Sequence, residues 1–335
     1  MNTQINDKRN QNIKQFLKNN NLENYKLIKI KQDASTRKYY RIKNKNIILM
    51  DSIENGNNNK EFIKLSIYLN SIELSAPRVL GKNHKKGLYL IEDFGSLTFN
   101  NAIKKKINEK TLYLNAIQLL VKLQSYKNFP NVPNYGYNNL FKELDIFIEW
   151  YFKEININLS YNALNEWNIL WKKALKNIND NNSTLVLRDF HADNLFWLPK
   201  RKNTRKIGLI DFQDALMGHI TYDISSLLED VRRKVSTRTK NAALEKFIKL
   251  KKIKDKNLFY KNYYTLTAQR NAKIVGIFIR LARKEKKYKY LKLVNRAMKT
   301  FIDSLEKGNQ NYLLNWINRN IPKDKIKIKN EQITK

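Results

Sequence analysis

The segment Leu187-Arg188-Asp189-Phe190-His191-Ala192-Asp193-Asn194, followed downstream by Ile210-Asp211-Phe212-Gln213, constrains the fold of this chain more than any other stretch. Thr184 to Leu187 is a short apolar run ending at Arg188-Asp189. Leu195 to Leu198 reads as a strand, Pro199 to Asn203 as a basic turn, and Ile207 to Ile210 as a returning strand. An antiparallel hairpin of that length brings Asn194, where its first strand starts, beside Asp211, where its second strand ends. Two oxygen donors at one hairpin mouth suit Mg²⁺, which takes few protein ligands and fills its shell with water and phosphate oxygens. Asp189 lies just upstream, in the connecting loop, where a carboxylate can orient a hydroxyl for attack on a γ-phosphate.

These residues resemble the catalytic loop and metal-binding aspartate of the protein-kinase-like fold, in its aminoglycoside and choline phosphotransferase branch. That branch carries a histidine two residues after the catalytic aspartate, and His191 stands there as support for the loop. Leu187 replaces the branch's first histidine, and Gln213 replaces the glycine of the aspartate-phenylalanine-glycine motif. The resemblance implies an α+β, bilobal protein-kinase-like fold with a small β-rich N-lobe and a mainly helical C-lobe. It implies ATP and Mg²⁺ as cofactors, with Asp189 catalytic and with Asn194 and Asp211 holding the metal.

The rest of the chain follows the order such a fold needs. Gln11 to Asn19 predicts a short amphipathic helix with Ile13, Phe16 and Leu17 on one face. Asp33 to Arg41 is a polar turn running into a strand, Ile47 to Met50 is a strand, Glu61 to Leu69 is helical, and Gly87 to Ile91 is a further strand closing on Glu92-Asp93-Phe94-Gly95. From Leu97 onward, the hairpin apart, the chain reads as mainly helical. The expected division is 1–93 for nucleotide binding, 94–322 for catalysis and substrate, and 323–335 as a basic tail. Ser35 and Thr36 are the candidate phosphate-binding hydroxyls, in a turn that is otherwise an ordinary hairpin turn. Glu92 and Asp93 mark the backbone expected to receive the nucleotide base. Kinase-like enzymes place a lysine on the third strand to hold phosphates, but here Met50 stands near that position, which leaves Arg37 or Arg41 to meet the charge.

Asp223 opens a helical run in which Ile224, Leu227 and Leu228 face a core; it is either an N-cap or first-turn acid favoured by the helix dipole or, as the resemblance implies, the acceptor of amide hydrogen bonds from the catalytic loop. Along Ala268 to Arg283, helical spacing puts Ile274, Ile277, Phe278 and Leu281 on an apolar stripe, with Gln269, Lys273, Gly276 and Arg280 beside it. This helix, Gln213-Asp214-Ala215, Asp33-Ala34-Ser35, Leu49-Met50-Asp51, Glu92-Asp93 and Glu149-Trp150-Tyr151 together resemble the bacterial sugar kinases of cell-wall recycling. Those enzymes phosphorylate the anomeric hydroxyl of N-acetylmuramate and N-acetylglucosamine. The resemblance makes Asp214, Gln269 and Lys273 candidate substrate contacts, while Arg270 and Lys273 read equally well as packed cations. The carboxylate of N-acetylmuramate would suit Lys273 or Arg280.

Composition narrows the alternatives. The chain has 335 residues, enough for one large bilobal unit or two domains with ample material for a core. It contains no cysteine, which excludes disulfides and thiolate metal sites, and its three histidines are too scattered for a zinc site. The polar start is unlike a secretory signal, and no apolar run approaches the ~18 residues a membrane span needs, so a cytoplasmic protein is expected. The formal charge of +35 accompanies a surplus of Lys, Asn and Ile, the trio an AT-rich coding sequence produces, and no nucleic-acid module is recognisable. The resemblance implies a small-molecule sugar as partner, and no specific nucleic-acid partner is expected beside it. A kinase for a choline-like or aminoglycoside-like acceptor, or a basic binding protein without activity on the same fold, would fit the composition too.

Overall fold

The structure, a computed structural model, describes residues 2–30, 37–52, 57–176, 178 and 183–328. In chain order its elements are α1 (Asn2–Lys18), β1 (Leu27–Lys29), β2 (Lys38–Ile42), β3 (Ile47–Asp51), α2 (Asn57–Ser71), β4 (Val79–Asn83), β5 (Leu88–Glu92), α3 (Phe99–Lys104), α4 (Glu109–Leu123), α5 (Tyr137–Lys142), α6 (Asp145–Glu154), α7 (Tyr161–Lys176), β6 (Ser183–Val186), β7 (Leu195–Trp197), β8 (Ile207–Leu209), β9 (Leu216–His219), α8 (Thr221–Leu228), α9 (Thr237–Leu250), α10 (Lys256–Arg283), α11 (Leu291–Lys307) and α12 (Asn311–Asn320). This is a mixed α+β chain that divides into two compact units. The first takes its residues from 1–119, 128–130 and 193–214, the second from 120–127, 131–192 and 215–335.

The first unit is built on an antiparallel sheet in the order β1-β2-β3-β5-β4. β3 and β5 carry fully buried Leu49, Met50, Leu88 and Leu90, as central strands must when both faces are covered. α1 is longer than the sequence predicts, and its Ile13, Phe16 and Leu17 pack with Ile42, Leu49, Leu88 and Leu90. Arg9 on α1 pairs with Asp51 and donates to the Ser52 carbonyl at 3.0 Å, pinning the helix to the end of β3. The β7/β8 hairpin belongs to this unit. Its register sets Leu195 opposite Leu209, and Leu209 N donates to the Ser75 carbonyl at 2.8 Å while Trp197 N donates to Leu97 O at 2.8 Å. Gly208 is required there, because a Cβ would lie 2.7 Å from the Phe94 ring.

The second unit is helical around the two-stranded β6/β9 pair. α10, capped by the Asp255 carboxylate on Leu258 N at 2.9 Å, is its longest helix at 28 residues. Gly276 gives the closest approach of α10 to α6: a Cβ would lie 2.5 Å from the Ile146 carbonyl carbon and 2.9 Å from Phe147 N. The core around this crossing stacks Phe147 against Tyr151 and Trp167, with Trp171, Phe301 and Trp316 completing the aromatic cluster. Aromatic side chains of this size dominate burial energetics. Every residue of α8 is buried, including Thr221, Asp223, Ser225 and Ser226. Those polar groups must be hydrogen-bonded where they lie, and their partners lead to the site.

Candidate active site

In the second unit the chain leaves β6 and turns sharply at Arg188, whose φ of 68° lies in the left-handed region that a residue with a Cβ adopts only under constraint. The constraint is Asp223. Fully buried on α8, it accepts from Leu187 N at 2.7 Å and from Arg188 N at 3.0 Å. Ser226 Oγ adds a bond to the Arg188 carbonyl at 3.2 Å. The turn is extended by Asp189 N to Leu187 O at 2.9 Å and by His191 N to Asp189 O at 3.0 Å. Asp223 is the third residue of its helix and not its cap; its carboxylate is spent on the loop that carries Asp189. Burial raises the Asp223 pKa to about 7, against the opposing pull of the two amide bonds.

A second anchor holds the Arg188 side chain. Its Nη2 donates to Glu143 Oε1 at 3.0 Å, and its guanidinium lies 5.4 Å from the Tyr135 ring centroid. The other Glu143 oxygen accepts from Lys273 Nζ at 2.9 Å, from Gln269 Nε2 at 3.3 Å and from the Tyr135 hydroxyl. Lys273 also donates to the Tyr222 hydroxyl at 3.1 Å, and Gln269 to the Leu140 carbonyl at 2.7 Å. Burial would raise the Glu143 pKa, yet Lys273, Tyr135 and Arg188 outweigh it and hold the carboxyl below its usual value. Burial would likewise lower the Lys273 pKa, and Tyr222 and Glu143 outweigh that and hold it raised. Both partners are thus charged, as a mostly buried ion pair requires. Gln269 and Lys273, expected at the substrate, are placed by the structure inside this network. Glu143 and Arg188 carry no motif of their own: Arg188 borders Asp189, but Glu143 is far away in sequence and only the fold brings it there.

His191 is buried, and its pKa is driven well below the ordinary range by burial first and then by Arg232 and Arg270. A neutral imidazole follows.

In the first unit, Asn194 and Asp211 stand at one end of the β7/β8 hairpin. Ile210 N donates to Asn194 O at 3.2 Å, and the Asn194 carboxamide approaches Asp211 Oδ2 at 3.4 Å. Asp211 has φ 60°, and Gln213 Nε2 bridges its Oδ1 at 2.8 Å to Asp214 Oδ2 at 3.3 Å. Phe212 is fully buried and stacks on Phe62 of α2, with centroids 5.3 Å apart and planes 9° from parallel, so the turn has a fixed floor. Asn194 Nδ2 faces Asp211 here; with the carboxamide turned to present its oxygen, it and the Asp211 carboxylate would be hard donors of the kind a divalent cation takes, and the neighbouring Asp214 adds negative charge, so the residues fit Mg²⁺.

Arg41 is committed to Asp93 through two nitrogens and to the Gly95 carbonyl at 2.8 Å. Asp93 also accepts from Gly95 N at 2.7 Å. Glu92 is held by Arg78 at 3.2 Å and by Arg201. The carboxylates of Glu92 and Asp93 thus shape the turn after β5. Met50 is fully buried, and Arg37 lies beneath the surface with Nη2 on the Asn58 carbonyl at 3.1 Å and its guanidinium 5.9 Å from the Phe62 centroid. Ser35 and Thr36 lie outside the described residues.

Residues 26–248 match the model of the phosphotransferase enzyme family. The chain is 32% identical over 245 residues to the N-acetylmuramate/N-acetylglucosamine kinase of Caulobacter vibrioides, covering 70% of this chain and 67% of that protein. It is 26% identical to the kinase of the same name from Pseudomonas aeruginosa, covering 79% of each. Among solved structures, a choline/ethanolamine kinase family protein from Mesorhizobium loti is similar with a TM-score of 0.64 at 12% identity, over 93% of this chain and 99% of that one. Aminoglycoside phosphotransferase APH(2'')-Ib, crystallised with ADP, is similar with a TM-score of 0.53 at 17% identity, over 82% of this chain and 94% of that one. Identities this low establish a shared fold. No helix among the described residues is long and apolar enough to cross a membrane.

Proposed function

The chain belongs to the phosphotransferase enzyme family, and from that premise we propose that it transfers the γ-phosphoryl group of ATP to the anomeric hydroxyl of an N-acetylated amino sugar. The family match and the likeness to two N-acetylmuramate/N-acetylglucosamine kinases support an ATP-dependent small-molecule kinase acting on a sugar. The observation that carries the chemistry is the double amide clamp of Asp223 on the loop bearing Asp189. Phosphoryl transfer asks a protein mainly for position and charge, and a carboxylate on a loop this tightly held supplies position. Asp189 orients the sugar hydroxyl and accepts its proton as the oxygen attacks. An anomeric hydroxyl is more acidic than an ordinary sugar alcohol, so a carboxylate of modest basicity suffices.

Asn194 and Asp211 would hold Mg²⁺, which when bound neutralises charge on the phosphate oxygens. Gln213 keeps the Asp211 carboxylate turned toward Asp214, and the buried Phe62–Phe212 stack keeps the turn from shifting. Ser35, Thr36 and the backbone around Glu92 and Asp93 are our candidates for nucleotide contact. Asp214, Gln269 and Lys273 are our candidates near the acceptor, the last two acting through the Glu143 network.

Phosphorus NMR of the product made from N-acetylglucosamine and ATP tests the position of transfer. A sugar 1-phosphate is expected, and the 1-O-methyl glycoside, whose attacking oxygen is capped, should fail as a substrate. Efficient phosphorylation of that glycoside would show that a different hydroxyl is used; the kinase assignment would stand and the anomeric one would not.

A further inference from the structure

We propose that Glu143 and the Arg188 side chain are positioning residues for the transfer, together fixing how the catalytic loop presents Asp189. The inference rests on the reading above, in which Asp189 accepts the proton of the acceptor hydroxyl, and adds the groups that aim it. Arg188 holds a φ of 68°, a conformation that glycine adopts without strain, so an arginine there has to offset through its side chain what its Cβ costs. Three contacts hold the residue. Its amide donates to Asp223 at 3.0 Å, its carbonyl accepts from Ser226 Oγ at 3.2 Å, and its guanidinium donates to Glu143 Oε1 at 3.0 Å. Two fixed points leave a residue free to rotate about the line between them, and a third removes that freedom. The peptide leading to Asp189 starts at the Arg188 carbonyl, so the third contact sets where Asp189 leaves the loop.

The mounting of that third contact is stiff. Glu143 lies in the turn between α5 and α6, with its amide bonded back to the Asn139 carbonyl at 3.1 Å. Its second oxygen is held from α10 by Lys273 at 2.9 Å and Gln269 at 3.3 Å, and also by the Tyr135 hydroxyl. Tyr135 in turn donates its amide to the Met217 carbonyl on β9 at 2.7 Å, and β9 sets Leu216 opposite Val186, the last residue of β6. The carboxylate that receives Arg188 is therefore tied to the same strand pair from which the catalytic loop departs. Stability alone does not explain the Arg188 arm. Its side chain is 29% exposed against 11% for Lys273, and an ion pair open to solvent adds little to folding. A directed N–H···O bond still fixes orientation where its energy is screened, and a reacting group misplaced by about 1 Å can lose on the order of 10²-fold in rate. Glu143 need touch neither sugar nor nucleotide to act in this way.

The test is steady-state kinetics of the full-length protein, Glu143→Gln, Arg188→Gly and the double variant, with ATP and N-acetylglucosamine each varied, at a temperature where circular dichroism shows every protein folded. Glu143→Gln should lower kcat on the order of tenfold with KM for both substrates within about twofold, the pattern of an interaction that counts only in the transition state. Arg188→Gly suits the backbone turn but deletes the anchor, so it should lower kcat at least as far. The double variant should be no slower than Arg188→Gly, because Glu143 acts through a guanidinium that is already gone. Native kcat in Arg188→Gly would overturn the proposal by making the turn sufficient without its side chain. Effects that multiply in the double variant would overturn it by giving Glu143 a separate role. A raised KM for the sugar at unchanged kcat in either single variant would overturn it too, by placing that residue against the acceptor. Should Glu143→Gln not fold, Arg188→Gly decides alone through its kcat and KM. A native protein that phosphorylates no N-acetylated amino sugar removes the sugar-kinase reading and this one together; an active native protein whose kcat survives both single substitutions removes this one only.

Discussion

Replacing Glu143 by glutamine removes a carboxylate shared by two cations, Arg188 at 3.0 Å and Lys273 at 2.9 Å, while keeping the side-chain shape. The side chain of Lys273 is 11% exposed and that of Glu143 21%, so solvent screens the pair only in part. Removing one partner of a buried pair costs about 3–5 kcal/mol; with the exposed edge of Glu143, about 3 kcal/mol is the reasonable figure. For a unit of roughly 150–250 residues that corresponds to a fall in Tm of about 6–12 °C. Differential scanning calorimetry of Glu143→Gln, Lys273→Met and the double variant is the assay. Lys273→Met relieves the stranded cation, so the double variant should be less destabilised than the sum of the singles by about 1–3 kcal/mol. The pH dependence has a definite sign. The Glu143 pKa is lowered from 4.5 in the folded protein, so its contribution is complete above that value and is lost as pH falls through the still lower folded value. The gap between native and variant should therefore close only in acid. A Tm within about 2 °C of native, or strict additivity, would refute the view that this carboxylate is the electrostatic keystone under Arg188.

Gly276→Ala should destabilise the helical unit by about 1–3 kcal/mol or more, because the added Cβ meets Ile146 and Phe147 backbone that cannot move aside; a native-like melting curve would contradict the close crossing of α10 and α6. Asp189→Asn should reduce turnover by on the order of 10²-fold or more with nucleotide binding retained, and Asp211→Ala should abolish turnover, both read by coupled ADP release and nucleotide titration. Asp223, with its pKa raised to about 7 by burial, loses an acceptor oxygen when protonated, so kcat should fall as pH drops through that value. Its ionised form costs stability above about pH 7, a cost that fades toward the unfolded value of 3.8. Asp223→Asn should lack the acid limb, and a native profile that is flat across that range would show that the clamp does not titrate.

The sequence alone determined the hairpin. Its two apolar runs and polar turn can pair in one way, and the observed register of Leu195 with Leu209 brings Asn194 to Asp211 as local geometry demands. It also determined the apolar faces of two helices: Ile13, Phe16 and Leu17 are buried, and of the predicted stripe Ile274, Phe278 and Leu281 are buried and Ile277 half-buried, although α10 buries polar Gln269, Arg270 and Asn271 too, which period alone does not foretell. The partner of Arg188 was beyond its reach. Glu143 lies 45 residues away from Arg188, and its meeting with Arg188, Lys273 and Gln269 depends on how helices cross, which no local pattern encodes. The commitment of Arg41 likewise needed the fold, since only the pairing of β2, β3 and β5 delivers Asp93 to that guanidinium. Arg270 shows the same division. Its helical face could be read from spacing, but that its Nη1 is buried and unpartnered follows from the tertiary packing around α10. Short-range order is written in neighbouring residues; which distant charges meet is settled by tertiary packing, because only burial makes an electrostatic partner obligatory.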